Sequence, residues 1–376
     1  MISTYLALWQ QLGSEAWLRA LTALVIATAL IPLSLPLAVK VGLIDEPGGR
    51  KQHAMATPVH GGLVILLAML GSSLAFNDFH VAWTNVFYLA GGLLLLVGVV
   101  DDFRSLSWKI RLAAQILAAL VIAVVGDASV HQLTDVFGVE GVMLGWLGIP
   151  ITIFVVVGVI NALNMADGLD GLAGGQALVS LLLFLCFALY AGNTQMAERL
   201  LAVAAAVVGF MFWNLQLPWQ PRARVFLGDA GSMLLGFVIA WTAVRLTQNP
   251  AHPVSPVLGP WTIALPLIDC VSLIFRRIRH GRSPFSADRD HLHHLLLDAG
   301  YRPASIAWGL MVVSALMGSA AAVAVRLGMN RPLLVLTFLA LIAAYYLLTT
   351  DRERAVAFFR RLRMGRNATL QSPESR

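Results

Sequence analysis

The stretch GGLLLLVGVVDDF, residues 91–103, joins an apolar run to two adjacent aspartates. Apolar runs of similar character recur along the whole chain. The hydrocarbon core of a bilayer is roughly 30 Å thick and needs about 20 apolar residues per helix. Lipid cannot satisfy exposed backbone groups, and the alternation of a membrane β-barrel is absent. The pattern predicts an all-α polytopic membrane protein.

The composition of the chain supports this class. Of its 376 residues 58% are apolar and only 12% are charged, whereas soluble domains contain about 25% charged residues. A soluble globular protein and a disordered one are both excluded. The net charge of +6 would indicate nucleic acid in a soluble chain. In a membrane protein the excess sets orientation, so we expect no nucleic-acid partner.

The remaining bulk features concern the termini and the cysteines. Cys186 and Cys270 lie inside apolar runs and are interpreted as buried hydrophobes. The first basic residue is Arg19, so no cleavable signal peptide is expected. We expect one membrane domain over residues 1–350. A basic cytoplasmic tail follows over residues 351–376, and we expect it to be disordered from Asn367 onward.

Eleven apolar segments are predicted to be membrane spans. They cover residues 18–39, 61–79, 86–100, 111–126, 148–163, 174–191, 200–215, 231–247, 258–275, 304–326 and 332–349. The connections on one side, together with the tail, carry 21 Lys and Arg residues, and the other side carries 5. The positive-inside rule places the first side in the cytoplasm. Most of the acidic residues near span ends lie on that same side, which indicates one site at the cytoplasmic membrane surface.

Asp101 and Asp102 are the first candidate site residues. They lie at a helix C-terminus, where they oppose the helix dipole and repel each other. A solvated helix end is one interpretation. A magnesium site or a general base explains better why the pair is tolerated. Lys109 and Arg111 follow closely and are placed to meet phosphate.

The second motif is NALNMADGLDGLAGG, residues 161–175. Its polar side chains recur every third residue, which predicts one polar helical face, and they are Asn161, Asn164, Asp167 and Asp170. Its glycines allow the backbone to approach a ligand closely. Glycine-mediated helix packing would explain the glycines but not the four polar side chains.

The third motif is RVFLGDAGSMLLGF, residues 224–237, in which Asp229 precedes a new span. Taken alone, Asp229 would be an ordinary N-cap. A weaker motif is GGRKQHAMATPVHGG, residues 48–62, which supplies Lys51, His53 and His60. Both motifs gain weight only from the other acidic and basic residues that the predicted topology places on the same side.

The fourth motif is RRIRHGRSPFSADRDHLHH, residues 276–294. It contains five arginines and, near its end, a cluster of three histidines, His291, His293 and His294. A loop facing anionic lipid accounts for the arginines but not for the histidines. Zinc is an alternative, although no cysteine accompanies the histidines. We favour binding of a diphosphate by imidazole and guanidinium groups. His291 and His294 are predicted to share a helical face while His293 points elsewhere.

Four of these motifs together resemble a known family, the polyprenyl-phosphate N-acetylhexosamine-1-phosphate transferases of bacterial envelope synthesis (glycosyltransferase 4 type). The resemblance rests on VVDDF, NALNMADGLDGLAGG, VFLGDAGSMLLGF and SPFSADRDHLHH, in that order over residues 99–294. Leu292 interrupts the histidine run. In this respect the chain is similar to the branch that acts on UDP-N-acetylglucosamine, rather than to the branch that transfers phospho-muramoyl-pentapeptide.

The resemblance implies a reaction and its location. N-acetylglucosamine 1-phosphate would pass from UDP-N-acetylglucosamine to undecaprenyl phosphate, releasing UMP and initiating an envelope polysaccharide such as O antigen. The alternative is the same chemistry with another UDP-N-acetylhexosamine or with phospho-muramoyl-pentapeptide as the transferred group. The enzyme would need Mg²⁺, with Mn²⁺ as a substitute. It would lie in the bacterial inner membrane with its site in the cytoplasm, and a homodimer is a candidate assembly.

The resemblance also implies residue roles. Asp229 would ligate the metal together with Asp102. Catalytic carboxylates would be Asp101, Asp102, Asp167 and Asp170. Phe226 would stack on uracil, and the three histidines would bind the donor diphosphate. The remaining substrate-binding candidates are Lys51, His53, Lys109, Asn161, Asn164, Asn214 and Arg289.

The alternative class is a transporter of a nucleotide sugar or another anion, because glycine-interrupted spans with polar groups also fit transporters. Transporter sites lie near the bilayer midplane, whereas these acids cluster at one face. Asp269, inside an apolar run, is the one residue that favours transport.

Overall fold

The computed structural model describes residues 9–45, 56–133, 136–137, 139, 141–286 and 288–370. The chain is almost entirely helical in these ranges. The helices are α1 (Ser14–Lys40), α2 (Gly61–Ala75), α3 (Ala82–Arg104), α4 (Trp108–Leu120), α5 (Gly148–Ala166), α6 (Leu172–Tyr190), α7 (Thr194–Asn214), α8 (Gly228–Thr247), α9 (Leu258–Thr262), α10 (Ala264–Arg279), α11 (Leu292–Asp298), α12 (Pro303–Arg326), α13 (Arg331–Thr349) and α14 (Arg352–Leu370). Two short strands, β1 (Ile44–Asp45) and β2 (Thr57–Pro58), pair antiparallel. The predicted all-α class is confirmed.

In the described part of the chain, nine helices are long and apolar enough to cross a membrane. They are α1, α3, α4 with its π-helical extension to Val125, α5 with its preceding turn, α6, α7, α8, α12 and α13. Helix α2 is apolar but has only 15 residues. The multi-span architecture is confirmed, and eleven spans stay a prediction.

The predicted span over residues 258–275 is not one continuous helix. It is divided at Ile263 into α9 and α10. Pro266 explains the break, because proline has no backbone N–H and its ring clashes with the carbonyl four residues earlier. That carbonyl belongs to Thr262, and it accepts a hydrogen bond of 2.8 Å from the Ser180 hydroxyl instead. The break therefore leaves no orphaned carbonyl at this point.

Helix α8 lies at the centre of the helix packing, in contact with α2, α3, α5 and α6, and most of its residues are buried. Glycines allow its neighbours to come close. A Cβ on Gly98 of α3 would collide with the Ala230 backbone, and one on Gly62 of α2 would collide with the Gly231 backbone. These close approaches bring the C-terminal end of α3 and the N-terminal end of α8 together.

One prediction about a helix end is corrected. Helix α5 ends at Ala166, so the helical face predicted over residues 161–170 includes Asn161 and Asn164 only. Gly171, with φ +78°, adopts a conformation that other residues avoid, and the chain turns there before α6. The tail contains α14, whose backbone is helical to Leu370. Residues 371–376 lie outside the described residues, and disorder at the end of the tail stays a prediction.

Candidate active site

Asp102, in the last turn of α3, binds the beginning of α8. Its two carboxylate oxygens accept hydrogen bonds from the backbone N–H groups of Asp229 (2.8 Å) and Ala230 (3.2 Å). The N-terminus of a helix carries partial positive charge and unpaired N–H groups, so an aspartate there is stabilising. Gly228 has φ +76°, and a Cβ at this position would lie 2.7 Å from the Asp102 carboxylate. Glycine is required for this contact.

Asp101 occupies a different environment from its neighbour. It is 4% exposed and accepts hydrogen bonds from the backbone N–H of Leu106 and from Arg111 Nη1, the latter at 2.9 Å. The same Arg111 nitrogen lies 3.7 Å from Asp229 Oδ1. Arg111 therefore links the carboxylates of α3 and α8, and one guanidinium partly offsets their mutual repulsion.

Asn164 connects α5 to this group. Its side-chain NH₂ donates to Asp229 Oδ1 at 2.6 Å and to Ser232 Oγ at 2.8 Å. The Ser232 hydroxyl in turn donates to the Gly228 carbonyl at 3.0 Å. The Asp229 side chain keeps 35% of its surface exposed, so it remains accessible to a ligand.

Asp167 and Asp170 lie in the turn between α5 and α6. Burial, followed by the negative charges of Asp229, Asp102 and Asp170, raises the pKa of Asp167 well above its ordinary value. Asp170 Oδ2 accepts hydrogen bonds from Gln216 Nε2 (2.9 Å) and Ala223 N (3.0 Å). Asp170 thus anchors the loop before α8, whereas Asp167 belongs to the carboxylate group itself.

Two asparagines predicted to bind substrate are occupied by the protein. The Asn214 side chain, 5% exposed, accepts from Gly171 N and donates to the Val225 carbonyl, both at 2.8 Å. Asn161 donates to Gln115 Oε1 at 2.7 Å and lies against α4 rather than against the carboxylates. The contacts of Asn214 hold two site loops together, and those of Asn161 join α5 to α4.

Asp269 positions the histidine loop. Its carboxylate lies 3.0 Å from His291 Nδ1 and accepts hydrogen bonds from Leu292 N (3.0 Å) and the Tyr345 hydroxyl (2.6 Å). A carboxylate on one ring nitrogen orients a histidine and fixes which nitrogen carries the proton. The residue that favoured a transporter in the sequence therefore has a partner and a positioning role in this fold.

The prediction that His293 points away from its neighbours is wrong. The ring centroids of His293 and His294 are 4.2 Å apart, and those of His291 and His293 are 5.4 Å apart. His291 precedes α11 and is not helical, so simple helical spacing does not apply to it. His293 packs so tightly on Gly168 that a Cβ there would collide with its ring.

Burial controls the charge of two of these rings. It lowers the pKa of His293 well below its ordinary value, and positive charge on His294 and His291 would lower it further. Burial and the neighbouring His291 lower the pKa of His294 to about 4. Both rings are neutral at pH 7 and offer nitrogens for hydrogen bonds rather than fixed positive charge.

Ion pairs hold the rest of the histidine loop in place. Arg277 Nε lies 2.8 Å from Asp288 Oδ2, and Arg352 of α14 pairs with Asp290 (3.2 Å) and with Asp298. The predicted tail therefore forms a helix that braces this loop. Arg289, a substrate-binding candidate, lies close enough to His294 for its charge to lower the pKa of that ring.

An aromatic contact joins this loop to the beginning of α4. The rings of Trp108 and Phe285 are stacked with centroids 4.2 Å apart. Lys109 is exposed beside them, with its Nζ 5.9 Å from the Trp108 ring centroid. Phe226 pairs its backbone with Pro58 and Gly61 at the beginning of α2. Lys51 and His53 lie outside the described residues.

The carboxylates fit a metal site that is open to water and substrate better than a site in which the protein supplies every ligand. Among the described residues, no three His, Cys, Asp or Glu side chains converge as a preformed metal site. Mg²⁺ commonly takes one or two carboxylates and completes its shell with water and substrate phosphates. The exposed part of Asp229 and the raised pKa of Asp167 suit such a cation. Asp102, predicted as a ligand, has both oxygens committed to α8.

Comparison with known proteins gives the family. Residues 83–247 match the model of glycosyl transferase family 4. The undecaprenyl-phosphate alpha-N-acetylglucosaminyl 1-phosphate transferase of Salmonella typhi is 37% identical over 274 residues, which is 73% of this chain and 74% of the relative. This chain belongs to glycosyl transferase family 4. Relatives of the same name from Escherichia coli K12 (37% identical, covering 70% of this chain and 71% of the relative) and Haemophilus influenzae (35%, covering 70% and 74%) agree.

The match to glycosyl transferase family 4 spans α3 to α8, which are the helices that carry the carboxylate group. It ends before α10 and α11, where the histidine loop lies. Sequence reasoning missed three contributors to the site, namely Gln115, Ser232 and Tyr345. Each is an ordinary residue in an apolar helix, and only its contacts reveal its role.

Proposed function

We propose that this chain transfers N-acetylglucosamine 1-phosphate from UDP-N-acetylglucosamine to undecaprenyl phosphate, giving undecaprenyl-diphosphate-N-acetylglucosamine and UMP. The relatives that carry this name support the reaction. The observation that carries the proposal is the hydrogen-bonded group formed by Asp101, Asp102, Asn164 and Asp229 at the adjoining ends of three apolar helices.

The reaction joins a lipid phosphate to a nucleotide diphosphate, so the site must lie level with the lipid headgroups and open to water. An oxygen of the lipid phosphate attacks the β-phosphorus of the donor. The bond from that phosphorus to the bridging oxygen breaks, and UMP leaves with the electron pair. Helix ends at the membrane surface would meet both requirements. The charge asymmetry of the loops supports the cytoplasmic side of the bacterial inner membrane as the location of this surface.

We assign distinct roles to the two halves of the site. Asp229 and Asp167 hold a divalent cation, Mg²⁺ or Mn²⁺, which supplies charge neutralisation for the reacting phosphates. Arg111 and Lys109 face the incoming lipid phosphate. The histidines bind the donor diphosphate as neutral hydrogen-bonding groups, with Arg289 beside them, and Phe226 stacks on the uracil.

Purified protein with undecaprenyl phosphate and a panel of UDP-sugars tests this proposal through release of UMP. We expect UMP only with UDP-N-acetylglucosamine or a close N-acetylhexosamine relative, and only when a divalent cation is present. Asp229→Asn is expected to abolish release without loss of folding. Asp127→Asn serves as its control, because Asp127 is a surface residue with 95% of its side chain exposed.

Three results would contradict the proposal. Release of UDP instead of UMP would mean that the sugar alone is transferred. Full turnover in excess chelator would show that the reaction does not need a divalent cation. Accumulation of UDP-sugar inside sealed vesicles, without UMP, would indicate a transporter instead.

A further inference from the structure

A second polar region lies at the other end of the helix bundle. Thr84 and Asp101 are both on α3, 17 residues apart in sequence, which corresponds to about 26 Å at 1.5 Å per residue. Around Thr84 lies a partly open cavity of about 50 Å³, lined by residues of α1, α2, α3, α7 and α8. This cavity is separate from the carboxylate group and from the histidine loop.

Hydrogen-bond donors without partners line this cavity. The Nε and Nη1 atoms of Arg199 and the hydroxyls of Thr84 and Thr242 are buried, and none of them has a hydrogen-bond partner among the described residues. Thr84 is 3% exposed and Thr242 is fully buried. Unpaired buried groups of this kind are rare in folded proteins, and each is strongly unfavourable unless a ligand or water pairs with it.

The residues that line the cavity include more positive than negative side chains. Arg19 and Arg199 line it, against the single carboxylate of Asp78. Arg19 takes the short contacts, at 2.6 Å to Asp78 and 2.6 Å to the more exposed Glu15. Arg199 is left 3.6 Å from Asp78, beyond hydrogen-bond distance. The charge of Arg199 is therefore only partly compensated.

A tryptophan restricts where the Arg199 guanidinium can lie. The Arg199 Cζ lies 4.4 Å from the Trp83 ring centroid, and Arg245 lies 5.5 Å from the same ring. Three of the five basic residues on this side of the membrane thus gather at one place, although like charges repel. The rest of the lining is mainly apolar and includes Met69, Phe87 and Val238.

We propose that this cavity binds a small monovalent anion of the halide class, held by Arg199 and by the hydroxyls of Thr84 and Thr242. A cavity needs only about 10–15 Å³ of volume accessible to a water-sized probe to hold one water molecule. This cavity therefore has room for an anion with one or two waters. A halide accepts hydrogen bonds from every direction, which suits donors that converge from three helices. A halide also carries a single negative charge, which suits the partly compensated charge of Arg199 better than a phosphate dianion does.

Thermal unfolding in an anion series tests the proposal. The intact protein in detergent is moved into sodium gluconate, and chloride or bromide then replaces gluconate at constant ionic strength. We expect a saturable rise in Tm of several degrees, because an anion that binds only the folded state stabilises it. Arg199→Gln is expected to abolish the rise. Arg326→Gln is the matched control, since Arg326 also lies over an aromatic ring, that of Tyr190, but away from the cavity.

A second variant and a direct measurement cover the case in which Arg199→Gln does not fold. Thr242→Val keeps the side-chain shape and removes one hydroxyl, so it is expected to weaken the apparent halide affinity several-fold. Crystals grown in bromide are expected to show an anomalous peak beside Arg199. A Tm that is insensitive to halide, an equal rise in Arg199→Gln, or saturation by phosphate but not by halide would each overturn the proposal.

Discussion

Asp269→Asn is the perturbation that tests most directly how the histidine loop is positioned. The substitution keeps the shape of the side chain and removes its negative charge. The asparagine oxygen can still accept from Leu292 N and Tyr345, but its NH₂ group then faces His291 Nδ1. Two donors cannot share one hydrogen bond, so the ring must turn or change its tautomer.

The expected size of the effect follows from the lost hydrogen bond. A hydrogen bond to a charged group contributes about 1.5–3 kcal/mol, and about 1.4 kcal/mol corresponds to a tenfold change in rate or affinity. We therefore expect transfer to fall by about 10–150-fold, mainly as a higher KM for UDP-N-acetylglucosamine. Tyr345→Phe removes one donor from the same carboxylate but leaves the contact between Asp269 and His291 in place. It is therefore expected to have a smaller effect, of about 2–10-fold.

The assay is UMP release under initial-rate conditions, with KM and kcat measured separately for donor and lipid. Asp298→Asn is the control. Asp298 is an exposed acid at the end of α11, the short helix that carries His293 and His294, and it pairs with Arg352. Near-normal kinetics in Asp269→Asn would refute the positioning role. An equal loss in Asp298→Asn would show that the loop needs its acids only for folding.

Three further predictions concern the same surface. Gly168→Ala introduces a Cβ into the His293 ring and is expected to lower UMP release at least tenfold, whereas Gly158→Ala, with open space around its Cβ, should leave it unchanged; equal rates would contradict the packing. Because burial and then His291 lower the pKa of His294 to about 4, the folded protein resists a proton that the unfolded chain accepts near pH 6.5. Stability is therefore expected to fall between pH 6.5 and 4, and His294→Gln should flatten the Tm profile; identical profiles would contradict this. In a chain without Cys186 and Cys270, single cysteines at 105, 222 and 286 should be labelled from the cytoplasmic side and one at 328 from outside, and the reverse pattern would refute the orientation.

Much of the architecture could be predicted from the sequence, because a helix that crosses the lipid needs a run of about 20 apolar residues. Apolar length alone located helical structure in each of the eleven segments, although the segment 258–275 is divided into two helices. Charge asymmetry grouped the acids on one side. The break at Ile263 is harder, because Pro266 can kink a helix or end it. The outcome depends on whether a neighbour satisfies the freed carbonyl, and Ser180 lies 82 residues away.

The site shows where single-sequence reasoning stops. Residue type and spacing selected carboxylates that lie close together in the structure. Asp102 accepts a hydrogen bond from Asp229 N, and Arg111 Nη1 lies 2.9 Å from Asp101 and 3.7 Å from Asp229. Their roles in the reaction stay a prediction. Spacing could not predict which carboxylate has which role. Asp102 and Asp170 accept hydrogen bonds from backbone N–H groups of segments that are distant in the sequence. The helical spacing rule also misplaced His293, because His291 lies before the helix begins. Contacts between distant segments decide these roles.

The contacts of Asp102 bear on whether the transfer passes through a covalent enzyme intermediate. An aspartate nucleophile needs a free oxygen directed at the donor phosphorus. Both oxygens of Asp102 accept hydrogen bonds from α8, and Asp101 is held by Leu106 and Arg111. We therefore expect direct attack by the lipid phosphate. One phosphoric anhydride is broken and another is formed, so the reaction should run readily in reverse. Radiolabelled UMP should exchange into UDP-N-acetylglucosamine only in the presence of the lipid product or acceptor, and Asp229→Asn should abolish this exchange. Exchange without any lipid would instead require a covalent intermediate between the enzyme and the phospho-sugar. Asp102 would then have to give up its hydrogen bonds to the α8 backbone during each turnover.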